Sequence, residues 1–314
     1  MSYHSQFTLS TADQLDVDAT WFDKQRQLPV EKNDARLRTW LVEQVDALQD
    51  FYDGDTNADA VAAIMTHSIS TSSILDLGSY SNDILALNIL WRLLIKALIE
   101  WPVSRTRDLF ALLDAIARIP HKIHKGEASD DDGTPWTWSE FPYFSLIWPE
   151  HFQPGQICRR CSDGQEIVLA RRLYLRIKDL EAQLIAKRVM GMGRWRTQYI
   201  ILALEKDIDD SDRQIAINDA VGYEQVKLDF HIPAISFLFR YSAREIYGRV
   251  VHGDVKDMTQ ARLWPGVARE FENGAERWSF WTQRLEELAG GKVGNEVAVA
   301  ARSALASMAV CEDA

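Results

Sequence analysis

Along most of this chain apolar residues recur three or four positions apart, the period of a helix that buries one face. From Asp34 the stretch RLRTWLVEQVDALQDFY aligns Leu37, Leu41, Val45 and Leu48 and stops at Gly54. ADAVAAIMTHSIS predicts a second helix, and NDILALNILWRLLIKALIEW a third. In the third, Leu87, Leu90, Trp91, Leu94 and Leu98 make a stripe broad enough for deep burial, closed by Pro102. Residues 104–119 repeat the pattern through Leu109, Leu112, Leu113 and Ile116 as far as Pro120, so these last two helices predict an antiparallel hairpin. Further on, GQEIVLARRLYLRIKDLEAQLIAKRVMG reads as one helix ending at Gly191, and RWRTQYIILALEKD as another. PAISFLFRYSAREIYGRVV reads as a helix that begins at Pro233, a favoured first-turn position. GAERWSFWTQRLEELAGG and NEVAVAARSALASMAV supply the last two. Alternating strand patterns, hairpin dipeptides and fixed-period repeats are missing. The fold class expected is all-α: a single large bundle-like domain over 34–310, preceded by an N-terminal extension, 1–33. Within it lie a first helical half (34–120), a loop and aromatic segment (121–165) and a second helical half (166–310).

One stretch breaks the period. TPWTWSEFPYFSLIWPEHF, residues 134–152, holds seven aromatic rings interrupted by Pro135, Pro142 and Pro149. Each proline removes an amide donor and pushes the residue before it toward extended geometry, so this is no continuous helix. Its rings predict either a plug that closes a helical core or the wall of a pocket for a flat apolar ligand. In the pocket reading Trp138, Phe141, Tyr143, Phe144 and Trp148 bind substrate, with Trp138 and Trp148 more anchored than Tyr143, whose hydroxyl suits a half-polar wall.

Composition changes the picture little: 46% apolar and 26% charged residues over 314 positions describe a globular protein with material for a large core. A formal net charge of -11 argues against a general nucleic-acid partner, because phosphate-backbone affinity needs clustered Lys and Arg. The N-terminus lacks the basic and apolar regions of a signal peptide, and Arg92 and Lys96 interrupt the greasiest stretch, so a cytoplasmic protein without a membrane span is expected. Cys158, Cys161 and Cys311 build no disulfide framework, and "CRRC" near His151 lacks the further ligands of a zinc site.

Candidate chemistry is thin. "DIDDSD" (207–212) and "NDAVGYEQV" (218–226) evoke the magnesium motifs of isoprenoid cyclases. The second has Gly222 and Val226 where a hydroxyl and a carboxylate ligand are needed, so both read as acidic turns. Phosphate loop, nucleophile elbow and dinucleotide fingerprint are absent, and no cofactor is expected. Arg240, Arg244 and Tyr247 fall at i, i+4 and i+7, opposite Ile235, Leu238, Ser242 and Ile246. Facing inward, that donor face could bind oxyanions; facing outward, it is an ordinary solvated surface. His121 and His124 follow a helix end, where cations suit the dipole. His231, beside Phe230, is the better general acid–base candidate, since apolar surroundings can tune its proton affinity.

The segments "NILWRLLIKALIEWP", "LFALLDAIARIP", "WSEFPYFSLIW", "DLEAQLIAKRV" and "ARLWPGVAREFENGAERWSFWTQRLEEL", in that order, resemble the hallmark segments of a fungal family of helical proteins with a domain of unknown function. The resemblance spans most of residues 85–288 and is most specific where Trp264, Trp278 and Trp281 echo the family's tryptophan pattern, although "VAREFENGA" departs from its usual lead-in. It implies an all-helical fold and a setting near secondary-metabolite genes. It is compatible with the hetero-Diels–Alderases of tropolone sesquiterpenoid pathways. That resemblance implies a cofactor-independent pericyclase. His231, Arg240, Arg244 and Tyr247 would be its catalytic donors, and a small apolar aromatic or terpenoid molecule its ligand. A non-enzymatic helical scaffold or ligand-binding protein is the competing expectation, and homo-oligomer formation is left open.

Overall fold

The computed structural model describes residues 19–28, 35–71, 81–120, 122–123, 136–148, 164–192, 200–201, 203–205, 223–253, 271–291 and 293–312. Of these, 83% are helical, and the fold is all-α. The helices are α1 (Ala19–Arg26), α2 (Ala35–Asp53), α3 (Ala58–Ser70), α4 (Ser81–Glu100), α5 (Thr106–Ala117), α6 (Phe144–Ile147), α7 (Gly164–Ala186), α8 (Tyr223–His252), α9 (Gly274–Gly290) and α10 (Asn295–Glu312). Sheet is confined, among the described residues, to a two-residue antiparallel ladder of β1 (Lys122–Ile123) and β2 (Trp136–Thr137). No described helix is long and apolar enough to cross a membrane.

The chain divides into two compact units, Ser10–Glu150 and His151–Ala314 with Met1–Leu9. The division falls inside the stretch 121–165 that the sequence marks as loop and aromatic segment.

In the 10–150 unit, α2 packs on α1, α3 and α4, and α5 on α3 and α4. The hydrophobic stripes read from sequence are the buried ones: Leu37, Leu41, Val45 and Leu48 of α2, Leu87 to Leu98 of α4 and Leu109 to Ile116 of α5 all lie in the core. Asn57 caps α3, its side chain accepting from Ala60 N–H at 3.0 Å. The expected N-terminal extension contains α1, which brings Trp21 and Phe22 into edge-to-face contact with Trp101. The Trp21 indole N–H donates to Glu100 Oε2 at 2.7 Å.

In the 151–314 unit, α8 is the hub on which α7, α9 and α10 pack. Two boundaries differ from the sequence reading. Helix α7 stops at Ala186 instead of Gly191. Arg188 adopts a left-handed φ of 62°, and its N–H reaches Ile185 O while Val189 N–H reaches Leu184 O. Those two bonds form a Schellman turn with arginine where glycine is usual. Helix α8 begins at Tyr223, so Pro233 lies inside it and does not open it. A proline there leaves the carbonyl four residues earlier without its amide donor. That carbonyl is Asp229 O, and Arg171 Nε of α7 donates to it at 2.9 Å. A side chain from the neighbouring helix thus fills the bond that Pro233 cannot make. The break in α8 comes later, at Ser242, whose φ of -139° and ψ of 19° are not helical.

Candidate functional site

The aromatic segment enters the 10–150 unit through β2 and one turn of 3-10 helix, Trp138–Glu140, closed by a capping box between Thr137 and Glu140. Phe141 and Tyr143 then both take left-handed backbone, φ 46° and φ 64°, on either side of Pro142. Two non-glycine residues in that region within three positions cost of order 1–3 kcal/mol each, so surrounding contacts must impose them. The contacts are visible. The Trp91 indole N–H donates to Pro142 O at 2.7 Å, and the Trp91 ring meets Trp138, Phe141 and Phe144 at centroid distances of 6.0, 6.0 and 5.4 Å. Trp138 Nε1 donates to Ser70 Oγ. The strained turn throws Phe141 inward and leaves Tyr143 half-buried, edge-on to Trp136 at 5.0 Å.

Of the five expected ligand-binding rings, Trp138, Phe141, Phe144 and Trp148 are therefore buried and Tyr143 is half-buried. Trp148 stacks on Phe144 at 6.2 Å with planes 21° apart. Its Nε1–H is shielded from solvent and has no hydrogen-bond partner.

The four expected catalytic donors belong to α8, in the 151–314 unit. Arg240 and Arg244 are exposed. The break at Ser242 lies between them, so the continuous i, i+4, i+7 register assumed for Arg240, Arg244 and Tyr247 is interrupted. Tyr247 stands edge-on to Trp278 at 5.0 Å, as part of an aromatic group with Phe239 and Trp281. His231 is half-buried, with Nδ1 3.4 Å from the Tyr174 hydroxyl of α7.

Tyr174 opens a polar stripe that the sequence reading missed. Tyr174, Lys178 and Glu181 stand at i, i+4 and i+7 of α7, on one face, and all three are buried. Lys178 Nζ donates to Glu181 Oε2 at 2.7 Å and lies 5.8 Å from the centre of the Tyr174 ring, which also packs on Phe230. Chemically, this is a half-exposed imidazole joined to a buried phenol beside a neutralised ion pair, an arrangement that can pass a proton between surface and interior. Its signal in the sequence was the spacing of the three residues, hidden because other charges surround α7. Asp179, next along the helix, has its carboxyl pushed up by burial, against the opposing pull of Gln183, Arg240 and Arg176. Asp229 is pushed up likewise, chiefly by burial.

A second missed group sits farther along the same unit. Glu205, at the end of a helical turn where its N–H bonds Ile201 O, receives Arg277 Nε at 2.7 Å, Arg277 Nη2 at 3.0 Å and Trp281 Nε1 at 2.8 Å. The side chains of Glu205 and Arg277 are wholly buried. The "RWSFW" motif puts Arg277 and Trp281 one turn apart on α9, both aimed at one carboxylate.

"CRRC", "DIDDSD", "NDAVG", His121, His124 and Trp264 lie outside the described residues. Among the described residues no group of three or more His, Cys, Asp or Glu side chains is placed to hold a metal ion. Comparison with curated proteins and with solved structures returns no match. A family described as "Protein of unknown function (DUF3632)" matches residues 91–285, a span that encloses Trp91, the aromatic segment, the Tyr174–His231 couple and the Glu205 cluster. With more than half of its length matched, this chain belongs to the DUF3632 family.

Proposed function

We propose that this protein binds a small, flat, oxygen-bearing apolar molecule and promotes its cyclisation without a cofactor. In its specific form the reading is a fungal hetero-Diels–Alder cycloaddition of a tropolone-type quinone methide with a sesquiterpene alkene. The observation that carries it is the Trp148 indole N–H, buried in a wall of aromatic rings and without a partner. A buried donor left unpaired costs about 1–3 kcal/mol, and a conjugated oxygen stacked on that wall is a group that would recover it.

The chemistry asks for little more. Dehydration to a quinone methide needs one proton delivered to the departing hydroxyl and one taken from the ring hydroxyl; within the 151–314 unit, taken by itself, the His231–Tyr174 couple is a group of that acid–base type. The cycloaddition then forms two σ bonds by rearranging π electrons, with no atom lost. Its rate depends on holding both partners in a near-attack geometry and keeping water out.

The scaffold reading has its own observation, the near-complete burial of Trp138 and Phe144 against Trp91. One experiment separates the two: titration of wild type and Trp148→Phe with tropolone, read by tryptophan fluorescence. Incubation with a quinone-methide precursor and a medium-ring alkene, with chiral analysis of products, follows. Cyclase function at the aromatic wall requires saturable binding weakened by Trp148→Phe, and one enantiomer in excess that Trp148→Phe reduces. Absence of binding together with racemic product sinks it in favour of the scaffold.

A further inference from the structure

The inner face of α2 carries two polar side chains among its leucines. Trp40 is 3% exposed and Gln44 1%, and at i and i+4 they stand on successive turns over one patch of the core. Trp40 Nε1–H is a donor and Gln44 Oε1 an acceptor. Both atoms are sealed from solvent, and neither has a hydrogen-bond partner. In the same unit Trp21 donates to Glu100, Trp91 to Pro142 O and Trp138 to Ser70, while Trp148 Nε1 is, like Trp40 Nε1, without a partner. What sets Trp40 and Gln44 apart is that a donor and an acceptor, both unpaired, stand one turn apart on one helix face, against the rule that buried polar groups are paired.

The two do not bond each other, so whatever satisfies both must accept from an indole N–H and donate to an amide oxygen. A hydroxyl is the smallest group that does both. A carboxylate or phosphate could take the indole proton but offers nothing to Oε1, and its charge would be buried uncompensated. An ammonium has no lone pair for the indole. We propose that the buried face of α2 is a binding site for one neutral hydroxyl, that of a water molecule or of a small alcohol, held between Trp40 Nε1 and Gln44 Oε1. This site is independent of the aromatic segment and of any cyclase activity.

The test uses the full chain labelled with nitrogen-15, the Trp40 indole signal being identified by its loss in Trp40→Phe, or by its shift in Gln44→Met if that variant does not fold. A long-lived water gives a cross-relaxation peak between the Trp40 indole proton and the water resonance, with the sign of a slowly tumbling complex, and ethanol leaves the signal in place. An alcohol site gives instead a saturable shift of that signal on ethanol titration, absent in Gln44→Met. Either result supports the site and names its occupant. If neither is seen, the proposal fails. It fails equally if Trp40→Phe and Gln44→Met each raise the unfolding temperature additively, because two empty orphans would be relieved separately.

Discussion

Arg171 and Pro233 make a pair whose dependence can be measured. Replacing Arg171 with methionine keeps most of the stem but removes the donor to Asp229 O, and Pro233 has no N–H to offer in its place. An unpaired carbonyl costs about 1–3 kcal/mol; since residue 229 is half-buried, about 2 kcal/mol is expected. The ion pair that Arg171 also makes with Glu296 adds little, because the Glu296 side chain is 70% exposed. In a unit of this size, about 2 kcal/mol lowers the melting temperature by roughly 4–8 °C. Pro233→Ala restores an amide at 233, so it should recover much of that loss in the Arg171→Met background. In the wild type it has no orphan carbonyl to fill and gains only from removing the proline ring. The assay is urea denaturation of the wild type, both single variants and the double, followed by far-ultraviolet circular dichroism. If the two substitutions add to within about 0.5 kcal/mol, Arg171 does not stand in for the missing amide and the account of α8 is wrong.

Glu205→Gln leaves Arg277 charged and wholly buried, and should cost about 3–5 kcal/mol, read as a large drop in urea midpoint; a loss below about 1 kcal/mol would contradict a buried clamp. Phe144→Ala and Trp138→Ala should each cost about 3–5 kcal/mol, whereas Tyr143→Gly, which trades half-buried ring contacts for relief of a left-handed backbone, should cost far less in parallel thermal melts. Because burial raises the Asp179 carboxyl above its ordinary range, the folded chain holds that proton more tightly than the unfolded chain does. The resulting destabilisation is present above the raised value and fades as pH falls through it. Asp179→Asn should therefore raise the melting temperature at neutral pH and by less in acid, and an equal gain at both would refute the assignment.

The architecture was legible because it rests on local periodicity, which buried stripes such as Leu109 to Ile116 display openly. What escaped was set by partners distant in sequence. Pro233 is an ordinary helix opener until Arg171 is seen beneath Asp229 O, and Gly191 is the natural stop until Arg188 takes the left-handed turn first. Eight residues are too few for α1 to show a period, so its burial of Phe22 was hidden in an apparent extension. Of the polar groups described, the sequence pointed to His231 but not to its partner Tyr174, 57 positions away, and Glu205 was one charge in the helix read from RWRTQYIILALEKD until Arg277 and Trp281 met it.

The hydrogen bond from Trp91 to Pro142 O joins positions 51 residues apart. Closing such a loop costs chain entropy before any contact repays it, whereas α4 and α5 can pair with only a short connection between them. The hairpin is thus placed to form early, and the strained turn at Phe141 and Tyr143 can lock only once Trp91 is in position to receive it. Order of assembly follows from this: the aromatic segment seats after the α4–α5 hairpin and leaves before it. Trp91 fluorescence should then report a late folding phase that far-ultraviolet signals do not see, and a protease acting on native protein should find its first cut near this turn.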